Sequence, residues 1–224
     1  MRNTALSSVF VGRTASDSWP KRGEWAIRLV DIIVSFVALV FLAPVILVTA
    51  LLVYVTNPGP IFFAHSRLGR DGKPFPCLKF RTMVTDAEER LRAILAEDPT
   101  RRLEWALDHK LRDDPRITII GKFLRSSSID ELPQFYNVLR GHMSLVGPRP
   151  IVKAEIVRYG RYYRDYCGVR PGITGLWQVS GRNDVTYRRR VAMDVTYARN
   201  RSLSLNLRIM LMTIPSVLMA KGSY

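Results

Sequence analysis

Asp130 and Glu131 form an adjacent carboxylate pair inside Ser128-Ile129-Asp130-Glu131-Leu132-Pro133-Gln134. Such a pair is either ordinary helix-start chemistry or part of a site that handles anions. Pro133 has no backbone donor, so it belongs in the first turn of a helix, where donors are unpaired anyway. That puts the N-cap near Asp130, with a helix running through Phe135, Val138 and Leu139 to a stop at Gly141. Both acids would then sit at the positive end of the helix, which favours anions, either side-chain carboxylates or a bound phosphate. The ordinary alternative is an N-cap acid followed by a first-turn acid. Stiff cationic loops follow and favour the functional reading. Gly147-Pro148-Arg149-Pro150 and Arg170-Pro171-Gly172 each fix an arginine in a constrained backbone, and Gly181-Arg182 adds another. Arginine presents a fork that matches phosphate oxygens.

The elements that position these groups follow from composition. The chain has 224 residues, enough for one domain and an appendage, with 34 Lys+Arg against 19 Asp+Glu and a net charge of +15. Between residues 141 and 201 twelve basic residues face four acidic ones. Such an excess suits nucleic acid, an anionic membrane or phosphorylated substrates. No zinc spacing, recognition-helix pattern or aromatic-basic RNA motif supports nucleic acid, and His65, His109 and His142 are scattered. Cys77 and Cys167 lie too far apart for a disulfide scaffold and read as free thiols in a reducing compartment. Arg188-Arg189-Arg190 reads as a solvated face or a contact with anionic lipid.

Ile32 to Val55 carries no charge, and only Ser35, Pro44 and Thr49 interrupt its apolar residues. A polar tail over residues 1–20, expected to be disordered, precedes it, and no cleavage motif follows. Pro44 splits the run in half. Each half, as a helix, would reach about 18 Å, short of a bilayer core of roughly 30 Å. Five basic residues flank the run on each side, which gives no positive-inside asymmetry. A hairpin entering and leaving one face fits both facts, and a kinked spanning helix is the alternative. Beyond a turn at Asn57–Pro60, short strands are expected over residues 61–65 and 75–80 around Asp71-Gly72, and helices over 85–96 and 101–111. Leu203 to Ala220 reads either as an amphipathic interfacial helix or as a core helix.

Five ordered motifs then resemble the bacterial sugar transferase family, the monotopic phosphoglycosyl transferases. They are the apolar run broken at proline, Lys79-Phe80-Arg81-Thr82-Met83, the Ser128–Gln134 segment, Gly141–Pro150 and Val169–Asn183. The resemblance covers about residues 21 to 224. The ending Lys221-Gly222-Ser223-Tyr224 further resembles enzymes that start succinoglycan-type exopolysaccharides with galactose.

The resemblance implies an α-dominated α+β, monotopic membrane protein at the cytoplasmic face of the bacterial inner membrane. A re-entrant helix over 21–56, broken at Ala43-Pro44, would precede a catalytic domain over 57–224. It implies transfer of a hexose-1-phosphate, galactose-1-phosphate or alternatively glucose-1-phosphate, from a UDP-sugar to undecaprenyl phosphate. Asp130 would be the nucleophile, Glu131 its assistant, and Mg²⁺ would bridge Asp130 and phosphate oxygens. Lys79, Arg81, Arg125, Arg149, Arg170 and Arg182 would hold phosphates, with Thr174 and Gln178 in the substrate site. Trp177 would line the site or sit in the core. Asp194 would partner the arginines, assist the metal or make a structural salt bridge. Partners would include anionic lipids, with downstream glycosyltransferases and a second copy of the chain as further candidates. A non-catalytic assembly scaffold is the rival reading. The family's serine before the proline is Ala43 here, so Pro44 would act alone or with Thr49. His142 stands where the family pattern often has an acid.

Overall fold

The computed structural model describes residues 23–108, 111–180 and 185–218. The expected N-terminal disorder, Gly181-Arg182, His109 and the last four residues lie outside them. Helices dominate, joined by two small sheets.

The apolar run forms two helices, α1 (Glu24–Phe41) and α2 (Ala43–Thr56), bent by 61°. The bend falls at Leu42, because Pro44 lacks the N–H that would bond the Val40 carbonyl and its ring crowds that carbonyl. Pro44 itself sits in the first turn of α2, where no donor is needed. No single described helix is long and apolar enough to cross a membrane. One stripe of the pair packs inward. Asp31, Ser35 and Thr49 are buried, whereas Trp25, Phe36, Phe41, Leu47 and Val55 are exposed. These polar residues share the inward stripe with Ile27 and Val53, while the outward faces are apolar.

Strands β1 (Phe62–Leu68) and β2 (Pro74–Phe80) pair antiparallel, with Arg67 opposite Phe75, His65 opposite Cys77 and Phe63 opposite Lys79. Their turn uses Asp71 and Gly72 at positive φ, as the sequence predicts. Helices α3 (Ala87–Glu97) and α4 (Pro99–Asp108) form a pair close to the expected positions. Helix α5 (Ile119–Ser127) starts at Thr118, whose hydroxyl accepts from Gly121 N–H.

A correction follows. Asp130 does not cap a helix. Residues Ile129–Glu131 form a 3₁₀ turn after Ser128 in the left-handed region, and α6 (Gln134–Leu139) begins only beyond Pro133. The turn closes through i+3 bonds, Glu131 N–H to Ser128 O and Leu132 N–H to Ile129 O. Gly141, at φ 80°, ends the segment as expected.

The two Gly/Pro/Arg loops are neighbours, which the sequence does not reveal. Strands β3 (Ser144–Val146) and β4 (Gly172–Thr174) pair in parallel, and the chain after β3 runs directly against the start of β4. A Cβ on Gly172 would lie 2.1 Å from Gly147 N, so only glycine permits this approach. Short helices α7 (Ile156–Tyr159) and α8 (Tyr163–Cys167) precede β4. Helices α9 (Leu176–Ser180), α10 (Tyr187–Asn200) and α11 (Leu203–Leu218) follow it. Helix α11 has one buried side, as the core reading expects. Ile209 and Asn206 are buried, while Leu207, Leu211 and Ile214 are exposed.

Candidate active site

Lys79 organises the carboxylate pair. Its Nζ donates to Glu131 Oε1 at 2.6 Å and lies 3.5 Å from Asp130 Oδ2. Three elements fix this geometry. Asn137 on α6 is buried, accepts from Leu78 N–H at 2.9 Å and donates to Pro76 O at 2.7 Å, tying β2 to α6 on either side of Cys77. Ile129 and Leu132 flank the acids and pack against Phe80, Leu124 and Val53. Val53 belongs to α2, so the bent helix pair buttresses the turn that carries the carboxylates.

Beside this trio lies a shallow, open cleft lined by Arg67, Lys79, Glu131, Arg149 and Gln178, with Cys77, Gln134 and Ile173 among its other walls. Asp130 is buried and borders Lys79 rather than the cleft wall. Burial, helped by the neighbouring Glu131, pushes the Asp130 carboxyl above its ordinary range, against the pull of Lys79 and Arg125. Burial opposes ionisation of Glu131 too, but Lys79, Arg149 and Gln134 outweigh it and hold that carboxyl low. The pair is thus unequal, one firmly ionised acid beside one whose charge depends on its cations.

Other predicted residues divide. Arg125 donates to Thr82 Oγ1 at 2.9 Å and places its charge near Asp130. Arg149 is exposed at the cleft, and Gln178 turns a buried Oε1 with no partner among the described residues. Asp194 lies buried behind Arg149, accepting from Tyr159 OH at 2.7 Å. Burial raises its carboxyl to about 7, against Tyr159, Arg149 and Arg190.

Arg81, Arg170 and Thr174 are not brought to the cleft. Arg81 donates to Asn57 O, closing the loop after α2. Arg170 donates to Gly141 O and pairs with Glu24 on α1. Thr174 shares a 2.8 Å hydrogen bond with Thr213 on α11. Trp177 takes the core position, buried under the Arg190 guanidinium at 4.7 Å, so that arginine is not simply solvated. His142 packs beside Phe75. Arg182 lies outside the described residues.

Arg67, Cys77 and Gln134 line the cleft without having been singled out. For Arg67 and Cys77 a signal existed. Opposite residues of an antiparallel pair share a face, so period-2 alternation groups Arg67 and Cys77 with Lys79.

Comparisons with known proteins place the chain in a family. The family model for bacterial sugar transferases matches residues 22–220. The chain is 46% identical to the exopolysaccharide production protein ExoY of Sinorhizobium fredii, over 88% of this chain and 87% of that protein. It is 48% identical to an undecaprenyl-phosphate galactose phosphotransferase of Salmonella typhimurium, over 99% of this chain and 48% of the relative. It is 40% identical to a UDP-glucose:undecaprenyl-phosphate glucose-1-phosphate transferase of Klebsiella pneumoniae, over 88% of this chain and 41% of the relative. Matched over nearly all its length, the chain belongs to the bacterial sugar transferase family and is a phosphoglycosyl transferase.

Proposed function

We propose that this protein transfers galactose-1-phosphate from UDP-galactose to undecaprenyl phosphate, releasing UMP and starting an exopolysaccharide repeat unit. The reading rests on the Asp130–Lys79–Glu131 trio beside a cleft walled by Arg67 and Arg149. An Asp130 oxygen attacks the β-phosphorus, and the bond from that phosphorus to the bridging oxygen breaks. UMP leaves with the bridging oxygen. An oxygen of undecaprenyl phosphate then attacks the same phosphorus, and the carboxylate is released. Lys79 favours the ionised form of Asp130 against burial, and the arginines offset charge on the phosphate oxygens. Glucose is the alternative sugar, carried by the glucose-1-phosphate relatives.

The donor set suits Mg²⁺ arriving with the substrate. Asp130 and Glu131 supply two carboxylates, and no group of three or more metal-ligating side chains occurs among the described residues. Magnesium characteristically takes one or two carboxylates and fills its shell with phosphate and water oxygens. Bound there, it would offset charge on the phosphates. The bent α1–α2 pair enters and leaves the cytoplasmic leaflet of the inner membrane, keeping the cleft near headgroup level, where the lipid phosphate lies. Its outward apolar faces support this topology.

A second reading makes Glu131 the nucleophile, because Glu131 and not Asp130 lines the cleft. One experiment separates the two. Purified protein is given UDP-galactose and undecaprenyl phosphate, and UMP release is followed for wild type, D130N and E131Q. We expect D130N to lose at least ~10³-fold in rate while remaining folded, with E131Q retaining residual turnover. The opposite ranking assigns the nucleophile to Glu131. Full activity in both variants overturns the mechanism. Running the same assay with UDP-glucose identifies the sugar.

A further inference from the structure

We propose that Arg70, Arg170 and Arg201 form a second anion site, apart from the cleft, that holds the phosphate of an anionic phospholipid headgroup at the foot of α1. This rests on the re-entrant reading of the α1–α2 pair given above. Arg70 comes from the β1–β2 turn, Arg170 from the loop before β4, and Arg201 from the junction of α10 and α11. All three guanidiniums converge on one atom, Glu24 Oε1. Arg170 and Arg201 lie 3.5 and 3.4 Å from it, and Arg70 donates to it directly.

The charge is not balanced. One carboxylate serves three guanidiniums. A second acid on α1, Asp31, spends both oxygens on Ser144 and Leu145, and the adjacent Arg28 spends its charge on the Val138 and Leu139 carbonyls. The charges that act on Arg170 are accordingly three arginines, Arg70, Arg28 and Arg201, and one carboxylate, Glu24. Arg170 registers the surplus. Burial first, then the nearby Arg70 and Arg28, lower its affinity for a proton. A further anion would relieve this repulsion, and a phosphate offers several oxygens to donors that now share one.

Position selects the kind of anion. None of these residues lines the cleft. The residue after Glu24 is Trp25, which is 74% exposed, and Leu29 continues the outward apolar face one turn on. Cations therefore give way to membrane-type surface within one helical turn, at the depth expected for headgroup phosphates. Arg70 and Arg170 keep roughly a quarter of their side-chain surface open.

The test uses the full chain with vesicles of phosphatidylcholine alone or with 30% phosphatidylglycerol, and reads flotation. Wild type should bind both, the anionic vesicles more tightly. R70Q and R201Q should each lower that preference about fivefold while UMP release in neutral vesicles stays unchanged. R201K should retain the preference. E24Q should strengthen it, because it removes the competing carboxylate; a purely structural ion-pair cluster would weaken instead. Inorganic phosphate at 10 mM should not abolish the preference. Abolition would make this a free-phosphate site and overturn the lipid assignment. Equal binding to both vesicles overturns the site while leaving the re-entrant helix intact. Failure to float with neutral vesicles overturns the re-entrant reading and the site with it.

Discussion

The two adjacent acids differ because of what stands next to each. Glu131 has Lys79 at 2.6 Å and Arg149 nearby, whereas Asp130 is buried with Lys79 at 3.5 Å. A nucleophile must be ionised, so activity should fall as pH drops through the raised Asp130 value. K79M removes the main group pulling that value down. We expect its acid limb to move to higher pH and kcat/KM to fall by about 10²-fold, read from pH profiles of UMP release. Asp194 gives a stability signature instead. Its folded value, near 7, exceeds the ordinary 3.8, so the folded state holds more protons between those limits. Its stabilising contribution is complete below about 3.8 and is lost as pH rises toward 7. D194N should therefore flatten the decline of Tm between pH 5 and 7, measured by thermal unfolding in detergent. At this scale the acid pair was plain in the sequence, and so was Lys79 through its motif. Arg81 and Arg170 were not, because a basic residue in a motif shows its charge but not its direction.

Elements carry these residues into register, and their legibility depended on length. The hairpin β1–β2, α3 and α4 have enough residues to express a period or a turn signal. Strands β3 and β4 have three residues each, too few to alternate, so two loops that meet were read as two separate loops. The start of α6 was misplaced for a related reason. Pro133 fits a first turn, but it fits the residue before the helix equally well after a 3₁₀ turn. Asn137 shows what joins the elements. Its amide pairs with a donor and an acceptor of β2, and no pattern in the sequence separates it from a surface asparagine. N137L would leave both backbone groups unpaired in a buried place, at a cost of about 2–4 kcal/mol. We expect a Tm loss of roughly 5–12 °C and a fall in kcat beyond what unfolding explains at the assay temperature, since Lys79 sits one residue past Leu78. A drop in Tm with normal kcat would mean that the clamp stabilises without positioning.

At the scale of the molecule, the bent helix pair and the catalytic turn are one construction. Leu132 and Ile129 pack with Val53 of α2, while α1 is fastened by Asp31 to Ser144 and Leu145 and by Arg28 to the end of α6. Two forces therefore oppose straightening into a spanning helix. The proline break is worth about 3 kcal/mol. The Asp31 carboxylate accepts one hydroxyl and one backbone donor in a buried setting, worth about 3–6 kcal/mol together. The proline was visible in the sequence and the clamp was not, because Asp31 stands just before the uncharged run and reads as its polar border. Since the clamp equals or exceeds the break, P44A alone should leave the N-terminus on the same side as the C-terminus, with activity reduced by less than about tenfold. P44A combined with D31L removes both restraints. In that variant we expect a substantial fraction of chains to place the N-terminus across the membrane, read by labelling a cysteine introduced near residue 1 in intact spheroplasts. Those chains should be inactive, because α1 is then withdrawn from Ser144, Leu145 and the end of α6, the helix whose Asn137 holds β2 and Lys79 in place. A P44A single variant that inverts completely would show that the proline alone sets the topology and that the buried Asp31 contacts follow from it.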